Sequence, residues 1–207
     1  MFNDMKNEGK GKRMTKRCIV TIGREYGSGG REIGEKLAEK LGIAFYDRQF
    51  LEMASLETGH SEDALSEQDE IADKKYFPYK AENLSEKLFD IQSRIMREKA
   101  KTESCVIVGR CSDIVLKDFA NVVHIFVYAH EDDRVRHVME RNNLDEVKAR
   151  KLMKKTEKIR RSYYQYFTDC DWGDRENKDL LINSSVTGID QSVDVIIAYL
   201  KIRGLLD

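Results

Sequence analysis

The sequence predicts an α/β fold, built on a doubly wound, five-stranded parallel sheet flanked by helices. Short apolar runs alternate along the chain with longer segments whose apolar residues recur at helical spacing. The runs "CVIV" at 105–108 and "VVHIFVYA" at 122–129 are almost wholly apolar, as strands buried on both faces of a sheet are. The first strand, helix and strand are compressed into about 30 residues, which is typical of two parallel strands joined by one helix.

Each predicted element rests on a local pattern. The first helix carries Ile33, Leu37 and Leu41 on one face, and Gly42 supplies its stop. Polar, glycine-containing residues 1–16 are expected to form a flexible N-terminal arm, and residues 17–207 a single domain. The predicted strands span 17–22, 43–46, 105–108, 122–129 and 180–182. The predicted helices span 30–41, 47–58, 61–73, 83–101, 131–141, 144–166 and 188–201.

The overall composition excludes several classes of function. Lys and Arg number 36 against 37 Asp and Glu, so no bulk charge drives nonspecific binding and no nucleic acid is expected as a partner. No apolar run approaches the roughly 20 residues that span a bilayer, and no signal peptide is supported, so no membrane association is expected. The 4 cysteines lack a C-x-x-C or zinc spacing, which indicates reduced thiols in a cytoplasmic protein.

A glycine-rich loop, "EYGSGGREIG", follows the first predicted strand and opens the first helix. Gly27, Gly29 and Gly30 would let backbone N–H groups converge on an anion, and the helix would add its positive N-terminal end. Ligands in open α/β sheets bind at this edge, where the strands end. The segment is therefore either a phosphate-binding loop or a tight structural turn.

The loop lacks the lysine of the usual phosphate motif, G-x-x-x-x-G-K-[ST]. With Gly29 as the second motif glycine, Gly30 stands at the lysine position and Arg31 at the hydroxyl position. A shift of one residue places Arg31 at the lysine position and Glu32 at the hydroxyl position. Arg31 could supply the missing charge, and Ser28 is the only hydroxyl of the loop. Alternatively, Arg31 and Glu32 are solvated residues of the first helical turn.

The loop and a second motif, "VIVGRCSD" at 106–113, carry a resemblance to a known family. The chain resembles the cytidylate-kinase-like branch of the P-loop nucleoside monophosphate kinases, whose loop has the form "REYGSGGREI". Further matching pieces are "IFVYAHEDDRVRHVMER", "EKIRRSYYQYF" and "DWGDRENKDLLIN", and the resemblance extends from about residue 17 to 199. It implies a P-loop kinase fold with an acceptor-binding helical insertion at about 47–102 and a helical lid at about 144–167.

The resemblance also implies site residues. ATP phosphates would contact Gly27, Ser28, Gly29, Gly30, Arg31 and Glu32, while the acceptor nucleotide would contact Gly109, Arg110 and Asp113. An arginine that leaves a central strand can hold a phosphate through two parallel hydrogen bonds, or it can cap a neighbouring helix. Cys111 replaces the aspartate that the family carries after this arginine, which leaves the accepted base open.

Two more groups of residues follow from the same comparison. Tyr46, Asp47 and Arg48 stand where these kinases begin their acceptor-binding segment, although Asp47 could equally be a helix N-cap. Basic residues are concentrated between 134 and 161, and each could also belong to a solvated helix face. Within this segment Glu157 would orient Arg160, three residues later on the same helical face, and Arg160 would clamp the transferred phosphoryl group. Arg31, Arg160 and Glu157 are thus the expected catalytic residues.

The leading functional hypothesis is a nucleoside monophosphate kinase that uses ATP and Mg²⁺, with CMP or dCMP as acceptor. A nucleotide-binding sensor without turnover is an alternative, because the lysine is missing. A kinase for a different small molecule is another, because residues 47–79 depart most from familiar cytidylate kinases. The metal ligands and the oligomeric state stay open.

Overall fold

A computed structural model describes residues 16–59 and 79–207, with the side chains of residues 79–84 left out. The expected N-terminal arm, apart from residue 16, and the helix predicted at 61–73 lie outside these residues.

Five parallel strands form one sheet in the order β2-β3-β1-β4-β5. Hydrogen-bonded registers such as Ile19 opposite Cys105 and Ile125 opposite Leu180 run in the same direction across every neighbouring pair. The central strands β1 and β3 are apolar and buried on both faces, as their unbroken apolar sequence predicts. The strands are β1 Ile19–Arg24, β2 Ala44–Tyr46, β3 Cys105–Val108, β4 Val122–Tyr128 and β5 Leu180–Asn183.

Helices cover both faces of the sheet, which confirms the predicted fold class. On one face α1 and α7 bury Ile33, Leu37 and Ile196 against the strands, and on the other α2 and α3 bury Phe50 and Met96. Each such side chain contributes about 1.5–3 kcal/mol of hydrophobic free energy. The helices are α1 Gly30–Leu41, α2 Gln49–Thr58, α3 Tyr79–Thr102, α4 Ser112–Val115, α5 Glu131–Asn142, α6 Glu146–Thr168 and α7 Ser184–Ile202.

Most predicted elements differ from the observed ones at one or both ends, by up to four residues, and one short helix was not predicted. Strand β1 continues through Gly23 and Arg24, because both stay paired with β4, so Arg24 belongs to the sheet rather than to the loop. Helix α7 begins at Ser184 rather than at Gly188, whose φ of 69° kinks it. The short helix α4 was not predicted, since four residues show no helical periodicity. The bounds of α1 and of β3 are confirmed.

Among the described residues, no helix has the length and apolar content needed to cross a membrane.

Candidate functional site

A cleft of about 1040 Å³ opens beyond the carboxyl ends of β1, β2 and β3, where parallel α/β sheets bind ligands. It brings together predicted residues that are far apart in the sequence. Helix α6, the expected lid, contributes one wall. The predicted site residues that line the cleft are Gly27, Gly29, Gly30, Arg31, Glu32, Asp47, Arg48, Gly109, Arg110, Asp113 and Arg160.

The glycine loop leaves the first turn of α1 open to an anion. Gly27 and Gly29 have φ values of 84° and 74°, which glycine adopts without strain. No side chain caps the first turn of α1, so no capping side chain accepts a hydrogen bond from its backbone N–H groups. The loop is held from behind by Ser184, whose hydroxyl donates to the carbonyl oxygen of Ser28 at 2.7 Å. This geometry suits a phosphate at the helix N-terminus.

Ser28, expected to contact ATP phosphates, is buried and does not line the cleft. Its hydroxyl lies 2.9 Å from the carbonyl oxygen of Glu25 and 3.1 Å from that of Val127. Its backbone N–H also donates to the carbonyl oxygen of Glu25, at 3.3 Å. The hydroxyl and the backbone N–H of Ser28 therefore both stabilise the turn, and the hydroxyl does not face a ligand.

Arg24 is a cleft residue that the sequence analysis missed. Its guanidinium lies against Gly109, and its Nη2 is 3.6 Å from Oδ1 of Asp47. Burial, together with the like charge of the nearby Arg160, lowers the pKa of Arg24 to about 9, while Asp47 opposes the shift. An arginine at the end of a central strand was the available signal, but the predicted strand ended two residues too early.

Asp47 is the carboxylate that Arg24 and Arg31 share. Its Oδ2 accepts a hydrogen bond from Nε of Arg31 at 2.8 Å. Helix α2 begins only at Gln49, and Arg48 occupies the N-cap without a side-chain capping bond, so the N-cap interpretation of Asp47 is wrong. Arg24, Arg31, Arg110 and Arg160, together with Asp47, are called the arginine cluster below.

Tyr46 lies away from the cleft. Its hydroxyl donates to Oε1 of Glu103 at 2.7 Å, and its ring packs against Phe50 with centroids 5.1 Å apart. The tyrosine therefore belongs to the core beneath α2, while the next two residues of the predicted trio reach the cleft.

The motif after β3 has an unusual backbone. Gly109, Arg110 and Cys111 have φ values of 80°, 56° and 52°, so three consecutive residues are left-handed. The two non-glycine residues each cost roughly 1–2 kcal/mol in this conformation. Such strain persists where the surroundings fix the backbone, and it concentrates at functional sites. Here it turns the chain so that Arg110 lines the cleft.

Asp113 forms a buried polar group with two residues that the sequence analysis did not select as site residues. Its Oδ2 accepts from Nζ of Lys178 at 2.5 Å and from the hydroxyl of Tyr164 at 2.8 Å. The side chain of Lys178 is 1% exposed. Burial, with Asp113 adding to it, raises the pKa of Tyr164 far above its ordinary value. Lys178 stands in a charged stretch before β5, where no local pattern distinguishes it.

Arg160 faces the cleft from α6. Its Nη1 donates to the carbonyl oxygen of Arg24 at 3.1 Å, and its guanidinium lies over the ring of Tyr26 at 5.3 Å. Burial lowers the pKa of Arg160. Helix α6, the expected lid, thus reaches the end of β1 through this side chain.

Glu157 has a different partner from the one expected. Its carboxylate bonds to Arg134 of α5, whose Nε also lies 3.4 Å from Oε2 of Glu25. The side chain of Arg134 is 10% exposed, and a buried guanidinium needs counter-charges, so it takes the carboxylate that was expected to orient Arg160. Arg134, Glu25 and Glu157 are called the anchoring triad below, because they join the glycine loop to α5 and α6.

The available donors fit a Mg²⁺ ion that arrives with a nucleotide. The described residues contain no group of three or more His, Cys, Asp or Glu that could hold a metal by itself. Glu25 and Asp47 line the cleft but already face arginines, whereas Glu32 is exposed on the first turn of α1. Mg²⁺ typically keeps several waters and binds through substrate phosphates and one or two carboxylates. Glu32 lines the cleft on the first turn of α1 and is therefore one carboxylate that could join such a shell.

Several known proteins are similar to this chain in fold, in sequence or in both. Residues 19–186 match the model of the cytidylate kinase-like family. A crystal structure of an uncharacterized protein from Eubacterium ventriosum ATCC 27560 is 32% identical, with a TM-score of 0.71 over 89% of this chain and 99% of that one. No curated protein sequence matches the chain.

Two shikimate kinases share the fold at lower identity. The enzyme from Bacteroides thetaiotaomicron has a TM-score of 0.55 at 14% identity, covering 89% of this chain and 98% of its own. The enzyme from Acinetobacter baumannii, in complex with shikimate, has a TM-score of 0.50 at 17% identity, covering 93% and 97%. Fold and family together support a phosphotransferase acting on a nucleotide or another small molecule. By the match over 19–186, the chain belongs to the cytidylate kinase-like family.

Proposed function

We propose that the protein is a nucleoside monophosphate kinase that transfers the γ-phosphoryl group of ATP to CMP or dCMP. The observation that carries the proposal is the arginine cluster. Four guanidinium groups from β1, α1, the loop after β3 and α6 meet at the end of the sheet beside the open N-terminus of α1. Catalysis of phosphoryl transfer consists almost entirely of positioning and of neutralising phosphate charge, which this arrangement provides.

In the proposed reaction, the glycine loop and the first turn of α1 hold the donor phosphates, while Arg110 holds the acceptor phosphate. The bond between the γ-phosphorus and the oxygen bridging to the β-phosphorus breaks, and its electron pair leaves with ADP. A phosphate oxygen of the acceptor forms the new bond to the γ-phosphorus. Arg160, on the lid helix, neutralises charge on the group in transit. Mg²⁺, when bound, would neutralise the donor phosphates, with Glu32 as the available carboxylate.

The described cysteines are compatible with the proposed cytoplasmic setting. All are free thiols, and burial raises the pKa of Cys18 and of Cys105 to about 12. Thiols of that kind are poor nucleophiles and inert to exchange. They stay reduced alongside the nucleotide pools that the proposed reaction uses.

A second candidate, a kinase for a different small-molecule acceptor, is favoured by one observation. Oδ2 of Asp113 already accepts hydrogen bonds from Lys178 and Tyr164, so this carboxylate is engaged within the protein rather than held ready for a cytosine ring. Cys111 stands where the resemblance places the family aspartate. The part of the cleft around Asp113 therefore differs from the expected cytidine site, which favours a different acceptor.

The test measures ADP formation by purified protein with Mg²⁺ and ATP across CMP, dCMP, UMP, AMP, GMP, shikimate and no acceptor. Turnover that requires CMP or dCMP would support the proposal, and turnover with another acceptor would favour the second candidate. Arg110→Ala should lose at least about 100-fold in kcat/KM. Arg136→Ala, an exposed arginine outside the cleft, is the matched control. Saturable ATP binding without turnover would favour a sensor.

A further inference from the structure

The side chain of Arg24 leaves no room for a side chain at position 30. When Gly29 is taken as the second glycine of the phosphate motif, Gly30 stands at the lysine position and Arg24 at the first glycine position. A Cβ atom on residue 30 would lie 2.5 Å from Cβ and 3.2 Å from Cγ of Arg24. The lysine of the usual motif could therefore not be built while Arg24 is present. The absence of a lysine at position 30 and the presence of an arginine at position 24 are therefore linked.

The guanidinium of Arg24 extends from the glycine loop toward the acceptor side. Its stem passes Gly30, and its head lies against Gly109 and faces Asp47 at 3.6 Å. The absence of a side chain at Gly109 is what lets the head lie there. Arg24 thus spans the ends of three strands, between the loop proposed to hold the donor and the motif proposed to hold the acceptor.

The surroundings of Arg24 favour an incoming anion. Arg31, Arg110 and Arg160 act on it with like charge, and Asp47 is the carboxylate that opposes them. Asp47 is shared with Arg31, which holds it at the shorter distance of 2.8 Å. Among the described residues, Asp47 thus compensates the positive charge around Arg24 only in part. A phosphoryl group carries the negative charge that this position lacks.

Arg31, the sequence-based candidate for the missing cation, is differently placed. Its side chain is 44% exposed, and its donors already bond to Asp47 and to Glu35, at 2.8 Å and 3.0 Å. A solvated arginine with two carboxylate partners gives less to a phosphate than one that, like Arg24, is 19% exposed and faces Asp47 at 3.6 Å.

We propose that Arg24 replaces the absent phosphate-loop lysine and contacts the transferred phosphoryl group, with Asp47 holding its guanidinium in place before the nucleotide binds. The proposal rests on the phosphotransferase function proposed above. Arg24 gives up no proton and forms no covalent bond. It stabilises the negative charge on the γ-phosphoryl oxygens while the bond to ADP breaks and the bond to the acceptor forms.

The test exchanges the two positions. The variants are Arg24→Gly, Gly30→Lys, the double variant Arg24→Gly/Gly30→Lys, and Arg31→Ala, with Arg136→Ala as control. Arg24→Gly should lower kcat about 100-fold, and Arg31→Ala should lower it much less. Gly30→Lys alone should lower activity and the unfolding temperature, because both side chains compete for one space. The double variant restores the first glycine and the lysine of the usual motif, with Arg31 still at the hydroxyl position, and should regain at least about tenfold in kcat over Arg24→Gly.

Nucleotide affinity, measured by calorimetry without acceptor, separates this proposal from the function on which it rests. Arg24→Gly should reduce the preference for a non-hydrolysable ATP analogue over ADP about tenfold, since ADP lacks the γ-phosphoryl group. An unchanged preference, or a kcat within about twofold of wild type, would overturn the role of Arg24 and leave the kinase intact. A wild-type protein that binds no nucleotide would overturn both.

Discussion

Two groups of charged residues, the anchoring triad and the arginine cluster, lie beside the same glycine loop and differ in their charge balance. In the anchoring triad, one buried arginine faces two carboxylates and joins the loop to α5 and α6. In the arginine cluster, four arginines line the cleft together with Asp47, and Arg31 also bonds to Glu35. The comparison teaches that burial alone does not mark a ligand site. An arginine whose charge two carboxylates compensate supports the scaffold, whereas Arg24, which faces one carboxylate at 3.6 Å and three like charges, is the one proposed to meet an anion.

The largest expected effect comes from breaking the anchoring triad. Arg134→Ala would leave Glu25 and Glu157 without their shared counter-charge and should cost about 3–5 kcal/mol of unfolding free energy in urea denaturation. Arg136→Ala, on the same helix but exposed, should leave the unfolding curve unchanged. A loss below about 1 kcal/mol for Arg134→Ala would mean that the triad is not structural.

A smaller effect tests how rigidly the stem of Arg24 is fixed in the arginine cluster. Gly30→Ala should cost about 1–3 kcal/mol, because the new Cβ meets the Arg24 stem. In an Arg24→Gly background the same change should cost less than about 1 kcal/mol, since only the contact of 3.2 Å with Val127 remains. Equal costs in the two backgrounds would show that Arg24 moves aside freely.

Asp47→Asn removes the carboxylate from the arginine cluster and sharpens the contrast with the triad. The free protein should lose about 1 kcal/mol, or roughly 2–4 °C in the unfolding midpoint, because Arg24 and Arg31 lose their counter-charge. Sulfate or phosphate should then raise the midpoint more in the variant than in the wild type. Equal stabilisation by the anion would contradict the view that the cluster awaits one.

The smallest effect is a pH dependence beside the other compensated pair, Asp113 and Lys178. Burial lowers the pKa of His124 below 6.5, although Asp113 and Asp179 pull it upward. The unfolded chain therefore binds the proton more readily, so stability is greatest above pH 6.5 and falls as the pH drops from there toward the folded pKa. His124→Gln should flatten urea-derived stability between about pH 7 and 5, whereas the exposed His130→Gln should keep the wild-type slope. An unchanged slope in His124→Gln would refute this.

What the sequence could predict depended on the range of the interactions involved. Helix α1 was predicted to the residue, because its apolar spacing and the stop at Gly42 are local signals. Arg24 escaped notice because its importance lies in contacts with Gly109 and Asp47, which the fold brings from distant segments. The predicted partner of Glu157 was wrong for the same reason, because spacing along one helix carries no information about contacts with α5.

The hydroxyl of Ser184 on the carbonyl oxygen of Ser28 has a consequence for synthesis. These residues are 156 positions apart, and Ile189 of the same helix packs against Gly29. The loop is thus made on the ribosome well before the helix that supports it, which follows 156 positions later. A nascent chain that ends before residue 184 should not retain ATP, which a series of stalled chains can measure. The protein would then acquire its nucleotide only after α7 has been made.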